Sequence, residues 1–397
     1  MFPKLRFKKF DGDWTAVTLE SLAEVERGKF SVRPRNDPRY FGGEMPFIQT
    51  GDVTGSDVYL KGYTQTLNDD GIRVSKVFPA DTILITIAAN IGDTTITQYP
   101  VACPDSVVAI QPKQDKVNTI FLKNVIDLQK DNLDSQATQN AQKNINLQIL
   151  KPLKLIVPSK EEQNKIASFL SAVDEKISQL TQKLELLSQY KQGMMQKLFS
   201  QQIRFKADDG SEFGEWEETL LSEFLTESLI KGLKGNEAKK LTVKLWGKGV
   251  VPKNEVFEGS ENTQYYKRFV GQLIYGKLDF LNCAFGIIPT HLDGYETTID
   301  APSFDINKEK ANPYFLLNRF LQKDFYKKNG EEADGSRKAK RINQSVFLAM
   351  QIDLPCLAEQ TKIANFLSAI DQKIEVVAQQ IEQAKQWKKG LLQQMFV

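Results

Sequence analysis

Histidine is almost missing from this sequence. Only His291 occurs in 397 residues, which argues against His-pair metal sites and Ser-His catalysis, since both need imidazoles in number or in a set partnership. Cysteine is scarce too. Cys103, Cys283 and Cys356 lie far apart without metal-ligand spacing and read as free thiols of a reducing compartment. Long apolar runs are lacking: the longest, around Ile83 to Ile91, is too short and too rich in Thr to span a bilayer. The start has no basic stretch followed by an apolar one, so a cytoplasmic location and no membrane partner are expected. Excess charge is absent as well. At a net +2, any polyanion-binding surface must come from local clusters of Lys and Arg. What remains is ordinary: 41% apolar and 26% charged residues describe a globular chain long enough for two or three domains.

The main positive feature is an internal repeat. Lys165-Ile166-Ala167-Ser168-Phe169-Leu170-Ser171-Ala172-Val173-Asp174 returns as Lys362-Ile363-Ala364-Asn365-Phe366-Leu367-Ser368-Ala369-Ile370-Asp371. The ungapped match runs from Pro158 to Phe199 and from Pro355 to Phe396. A weaker echo pairs Leu5-Arg6-Phe7 with Ile203-Arg204-Phe205, and Trp14 with Trp216. Each copy predicts one long helix. Leu170, Val173, Ile177, Leu180, Leu184 and Leu187 follow alternating spacings of three and four, as do Leu367, Ile370, Ile374, Val377 and Ile381. These are heptad seams, broken once each at Lys191 and Lys388, and each helix should run roughly 55 Å at 1.5 Å per residue. Two equal stripes in one chain predict antiparallel pairing about a pseudo-two-fold axis. Ser159 with Glu162 forms a capping-box pattern at the first helix start; Cys356 replaces the serine in the second copy. Gly193 and Gly390, at matching places, suggest either close crossing of two backbones or a local kink.

Between the copies the sequence barely repeats. Residues 1–155 and 203–352 both read as α+β domains, with the helices at 158–199 and 355–397. Strand-like runs include Pro46–Thr50, Thr82–Ile87, Phe269–Tyr275 and Phe285–Ile288; residues 118–130 and Tyr314–Lys327 read as helices. Basic residues cluster locally. Lys29, Arg33, Arg35 and Arg39 share a loop with Phe30, Tyr40 and Phe41; Lys244, Lys248 and Lys253 lie near Trp246; Arg337, Lys338, Lys340 and Arg341 follow Gly335-Ser336. A polar run with Thr138, Gln139, Lys143 and Asn144 aligns with this last cluster. Arg and Lys can meet phosphates and guanine edges, and Asn and Gln can read adenine, although any one of these residues could equally sit on a solvated loop.

Catalytic motifs are wanting. Asn312-Pro313-Tyr314-Phe315 lacks the second proline of an amino-methyltransferase motif, and no Phe-x-Gly-x-Gly loop accompanies it. Gly232–Lys240 misses phosphate-loop spacing, and no nuclease-type acidic-x-Lys pattern is found.

Pro158 with Glu162-Gln163-x-Lys165-Ile166-Ala167, repeated as Pro355 with Glu359-Gln360-x-Lys362-Ile363-Ala364, resembles the specificity subunits of type I restriction enzymes. The later Lys191-x-Gly193-Met194-Met195-Gln196 and Lys388-Lys389-Gly390-Leu391-Leu392-Gln393 strengthen the likeness, as do Pro3–Phe7 and Ile91–Thr94. The resemblance implies two mixed α/β target-recognition domains, joined and separated by the two antiparallel coiled-coil helices. Each domain would read one half of a split, asymmetric target in double-stranded DNA. The helices would fix the gap and dock two methylation subunits, with restriction subunits added. S-adenosylmethionine, ATP and Mg would bind only those partners, and this chain would carry no catalysis. Alternatives are a related system that cuts near its site, and a coiled-coil scaffold with two protein-binding modules.

Overall fold

A computed structural model describes residues 2–88, 90–137, 144–254, 260–331 and 341–396. It divides into two compact units. The first comprises Met1–Gln182 with Ala378–Val397, the second Lys183–Val377. Each unit therefore holds one mixed α/β domain and parts of both long helices, Lys160–Phe199 and Leu357–Met395.

In the first unit, strands Ala23–Arg27, Val107–Pro112, Ile83–Thr86 and Thr94–Ile96 form an antiparallel four-stranded sheet in that spatial order. A second sheet orders Gln65–Leu67, Phe41–Phe47, Val101–Ala102 and Val77–Phe78, with one parallel pairing. Alternation explains the first sheet. Ile83 and Ile85 join the main core, whereas Leu84 faces a satellite cluster with Val101 and Ala109. Pro46–Thr50 is strand only through Phe47; Thr50 starts a short helix, Thr50–Thr54.

The second domain uses shorter strands. Leu225–Ser228, Ser303–Ile306, Leu273–Tyr275 and Phe285–Ile287 make its largest sheet, and Val250–Pro252 pairs with Leu241–Val243 in a hairpin. The expected strand Phe269–Tyr275 begins only at Leu273, because Gly271 takes φ +84° and turns the chain. The helix expected over Tyr314–Lys327 is two, Pro313–Phe320 and Lys323–Glu331.

Both domains are closed at the base by the same device. Thr15–Thr18 pairs antiparallel with Lys154–Val157, and Glu217–Leu220 with Gln351–Leu354. The closing strand then leads directly into a long helix. The repeated motif ties that helix to its domain. Glu162, buried, accepts two hydrogen bonds from the Arg6 guanidinium at 2.8 and 2.7 Å; Glu359 accepts two from Arg204 at 3.1 and 2.8 Å. Gln163 accepts from the Asn118 N–H and donates to the Pro158 carbonyl; Gln360 does the same with Asn312 and Pro355. Asn118 and Asn312 in turn cap the helices Thr119–Leu128 and Pro313–Phe320. The capping box expected at Ser159 is therefore half formed. Ser159 Oγ accepts from the Glu162 N–H at 3.4 Å, but the glutamate side chain turns to Arg6, a partner offering two charge-assisted bonds in place of one neutral one.

The seam residues divide between buried and half-buried. Leu170, Val173, Leu180, Leu367, Ile370, Val377 and Ile381 are buried, and Ile177, Leu184, Leu187 and Ile374 are half-buried. In the first unit Leu170 and Val173 pack in one core with Leu391, Met395 and Phe396; in the second Leu367 packs with Met195, Leu198 and Phe199. In each unit the first turns of one long helix share a core with the last turns of the other. The interruptions in the seam are ion pairs. Lys388 meets Asp174 at 2.6 Å, and its counterpart Lys191 meets Asp371 at 2.6 Å. A Cβ placed on Gly193 or Gly390 would meet nothing within 4 Å, and both helices continue through these residues. Neither backbone crossing nor a helix break requires them.

Aromatic residues close each core. Phe396 packs with Trp14 and Phe121, at ring separations of 6.3 and 5.4 Å. Phe199, its counterpart, packs on Phe315 at 5.4 Å, beside Trp216. Each long helix thus ends as an aromatic plug.

Candidate nucleic-acid interface

The first basic set falls on a single segment. Lys29, Arg33, Arg35 and Arg39 are all exposed, between strand Ala23–Arg27 and strand Phe41–Phe47. The interleaved aromatics point inward: Phe30 is buried against Phe47 at 5.0 Å and Phe41 at 5.6 Å, with Tyr40 edge-on. They form a small core that stiffens the segment and leaves the cations outside. Arg33 donates to the Val32 carbonyl at 2.9 Å. Arg35 pairs with Asp105 at 2.8 Å and Arg39 with Asp37 at 2.6 Å. The Arg39 guanidinium, through direct hydrogen bonds, holds the Asp37 carboxyl below the usual carboxylate range. Exposed pairs of this kind contribute only about 0–1 kcal/mol, so a phosphate can displace the carboxylate at little cost. The Lys29 ammonium makes no hydrogen bond or ion pair among the described residues.

An open groove lies on the same domain, lined among others by Glu44, Met45, Tyr63, Asn68 and Tyr99. Tyr63 and Tyr99 meet edge-on at 6.1 Å. Its lining offers aromatic faces and hydrogen-bond acceptors but no Lys or Arg, so it suits base edges better than phosphates.

In the second domain Lys244 and Lys248 flank the turn of the Leu241–Pro252 hairpin and Lys253 follows it; all are exposed. Lys244 and Lys248 make no ion pair among the described residues. Arg341 faces Asp300 at 3.7 Å with both side chains about half exposed. Asn144 is half-buried and bridges Ala88, at the edge of the first domain's sheet region. Thr138, Gln139, Lys143, Arg337, Lys338 and Lys340 lie outside the described residues. The structure thus brings Lys29, Arg33, Arg35 and Arg39 together on one segment, and Lys244 with Lys248 on one turn. Among the described residues no cluster of His, Cys, Asp and Glu could hold a metal ion, and no helix is long and apolar enough to cross a membrane.

Sequence reasoning missed Arg6, Arg204, Gln163 and Gln360 as the domain joints, and Trp246 as more than a neighbour of lysines. The joints were present as a signal: Arg6 and Arg204 recur in the same echo that carries the tryptophans. Also unanticipated were two matched exposed aromatics. Trp387 stands over Phe169 at 6.0 Å, and its counterpart Tyr190 over Phe366 at 6.5 Å.

Two unlike α/β domains, each mounted on a copy of the same joint and edged by exposed cations, make up a recognition protein with two reading heads. The specificity subunit of the type I restriction enzyme MjaVIII from Methanocaldococcus jannaschii is 26% identical over 408 residues, spanning 97% of this chain and 94% of that one. The fold is shared with the S subunit of a type I restriction–modification system from M. genitalium, at TM-score 0.62 and 16% identity over 100% and 99% of the two chains. It is shared too with a chain from a structure of type I restriction–modification complex assembly, at TM-score 0.57 and 13% identity over 97% and 98%. The family of type I restriction modification DNA specificity domains matches residues 11–189 and 302–386, and the chain belongs to it. It is the DNA specificity subunit of a type I restriction–modification system, a component without catalysis of its own.

Proposed function

We propose that this chain reads a split, asymmetric sequence in duplex DNA, one half-site per domain, and carries the subunits that act on that DNA. The observation that bears most weight is the duplicated joint: Arg6–Glu162–Gln163–Asn118 and Arg204–Glu359–Gln360–Asn312 mount two dissimilar domains on one repeated frame. A frame kept constant under domains that differ suits a reader whose two words differ. Lys29, Arg33, Arg35 and Arg39 in the first domain contact one half-site. Lys244, Lys248, Lys253 and Arg341, with Arg337, Lys338 and Lys340, contact the other; Thr138, Gln139, Lys143 and Asn144 add polar readout in the first. Phosphate contacts supply salt-sensitive affinity and base contacts the discrimination.

Two methylation subunits dock on this frame. In support, Trp387 on Phe169 and Tyr190 on Phe366 present one exposed aromatic surface twice. A surface duplicated with the repeat fits two copies of one partner. Restriction subunits join that assembly, in the cytoplasm. S-adenosylmethionine, ATP and Mg bind the partner subunits. The two long helices set the number of unread base pairs between half-sites.

Methylation mapping of genomic DNA from hosts with and without this gene tests the reading. The expected result is a two-part adenine-methylated motif that disappears with the gene. An unchanged methylome, together with no duplex binding at low salt by the chain and its methylation partner, would favour a scaffold for two proteins instead.

A further inference from the structure

The turn of the Leu241–Pro252 hairpin carries an arrangement that phosphate contact alone does not use. Trp246 at its tip is 57% exposed, and Leu245 beside it is 39% exposed. A large indole left in water costs hydrophobic free energy and calls for a reason. The backbone adds a second cost. Trp246 takes φ +59°, a left-handed conformation that bulky side chains rarely adopt.

That conformation is held in place. The Trp246 N–H donates to the Asn282 carbonyl at 2.8 Å, and the Gly247 N–H to the Cys283 carbonyl at 2.9 Å. Across the mouth of the turn, the Lys244 N–H donates to the Gly249 carbonyl at 2.8 Å. Gly247 takes φ +64°, and a Cβ there would meet Leu321 at 2.7 Å, so the turn is pressed against the domain. The hairpin base is buried through Leu241 and Val250 against Ile274, Ile288 and Leu292. An exposed indole is thus presented from a fixed support, with the ammonium groups of Lys244 and Lys248, neither in an ion pair among the described residues, on either side of it in sequence.

We propose that Trp246, with Leu245, is an apolar wedge that enters duplex DNA at a base step of the half-site read by the second domain, while Lys244 and Lys248 hold the flanking phosphates. The proposal rests on the reading of this domain as a DNA reader and names the residue that deforms the duplex. Apolar side chains inserted between base pairs unstack one step and bend the helix, and the cost of that deformation depends on sequence. The wedge would therefore select a deformable step without hydrogen-bonding to any base. Two exposed cations bracketing the indole favour a polyanion over an apolar protein partner.

The test uses the chain assembled with its methylation subunits and duplexes carrying the motif mapped from the host genome. 2-Aminopurine is placed at successive positions of the second half-site. Its emission should rise at one step on binding, the rise should vanish with Trp246→Ala, and it should persist with Trp246→Phe. Affinity should fall roughly ten- to a hundredfold for Trp246→Ala, the range seen when a base loses an aromatic partner, with the salt dependence unchanged. Lys244→Gln/Lys248→Gln should instead lower the slope of log K against log salt by about two while the emission change remains. If the lysine variant loses slope but Trp246→Ala binds and reports like the parent, the wedge is wrong and the reading of the domain stands. If neither variant changes DNA binding, the reading of this surface fails as well. Loss of assembly with the methylation subunits on Trp246→Ala, with DNA binding intact, would assign the indole to a protein contact and overturn the wedge.

Discussion

At the scale of single residues, the two joints are chemically alike but not equal. Glu162 depends on Arg6 for its side-chain hydrogen bonds, while Glu359 also accepts from Trp216 Nε1 at 3.2 Å. Trp14, the counterpart of Trp216, leaves its Nε1 buried and without a partner among the described residues. Arg6→Ala therefore strands a buried carboxylate and should destabilise the first unit by about 3 kcal/mol. Arg204→Ala leaves Glu359 one donor and should cost less; urea unfolding monitored by hydrogen exchange in each unit would show the order. The thiols divide similarly. Burial pushes Cys103 up to about 12 and Cys283 up to about 11, whereas Cys356 is exposed. A thiol reagent at pH 8 should modify one cysteine quickly and the other two only on unfolding. Both shifts are upward from the ordinary 9.0, so the stability they protect is intact below that pH and is lost as pH rises from 9.0 toward the folded values. The residues that reading by motif misplaced show its limit. Glu162 looked like half of a capping box because Ser159 lies three positions away, while the arginine that takes it is 156 positions away.

At the scale of elements, the heptad stripe was plain in the sequence, because an apolar seam repeats locally and needs no partner to be seen. Its interruptions were not interpretable that way. Lys191 and Lys388 looked like flaws, and only a fold that returns Asp371 and Asp174 to them reveals paired charges at seam positions. Such pairs fix register more than they add stability. Lys388→Met should lower stability by about 1–3 kcal/mol by leaving Asp174 unpaired, and Asp174→Leu in the same chain should recover most of it. Thermal unfolding of the single and double variants would check both. Gly193 and Gly390 lead to the opposite expectation. With open space around each Cβ position, Gly193→Ala or Gly390→Ala should raise stability by up to about 1 kcal/mol in the free chain. Short strands were harder to read than helices. The second domain's strands run two to four residues and are bounded by glycines such as Gly271, so composition alone overran their ends.

At the scale of the whole molecule, the repeat predicted the two long helices, while the dissimilar domains between them offered no second copy against which to compare the basic clusters. Basic clusters such as Lys29 to Arg39 could be named, but which cations were already paired, as Arg35 and Arg39 are, depended on carboxylates brought in by folding. The modular frame leads to a test. Exchanging residues 217–354 for the matching domain of another member of the family should replace one half of the methylated motif and leave the other half and the gap intact. Deleting one heptad from both long helices should change the gap alone. Methylome sequencing reads either result, and a shortened pair of helices with unaltered spacing would rule out their role as a ruler.

The aromatic plug at Phe396 also bears on how the protein is made. Trp14 and Phe121 leave the ribosome long before Phe396, the ring that packs beside them. The earlier-made domain is thus sealed only after the later one has been synthesised, and a message cut short before Phe396 would release a protein whose leading domain lacks its plug.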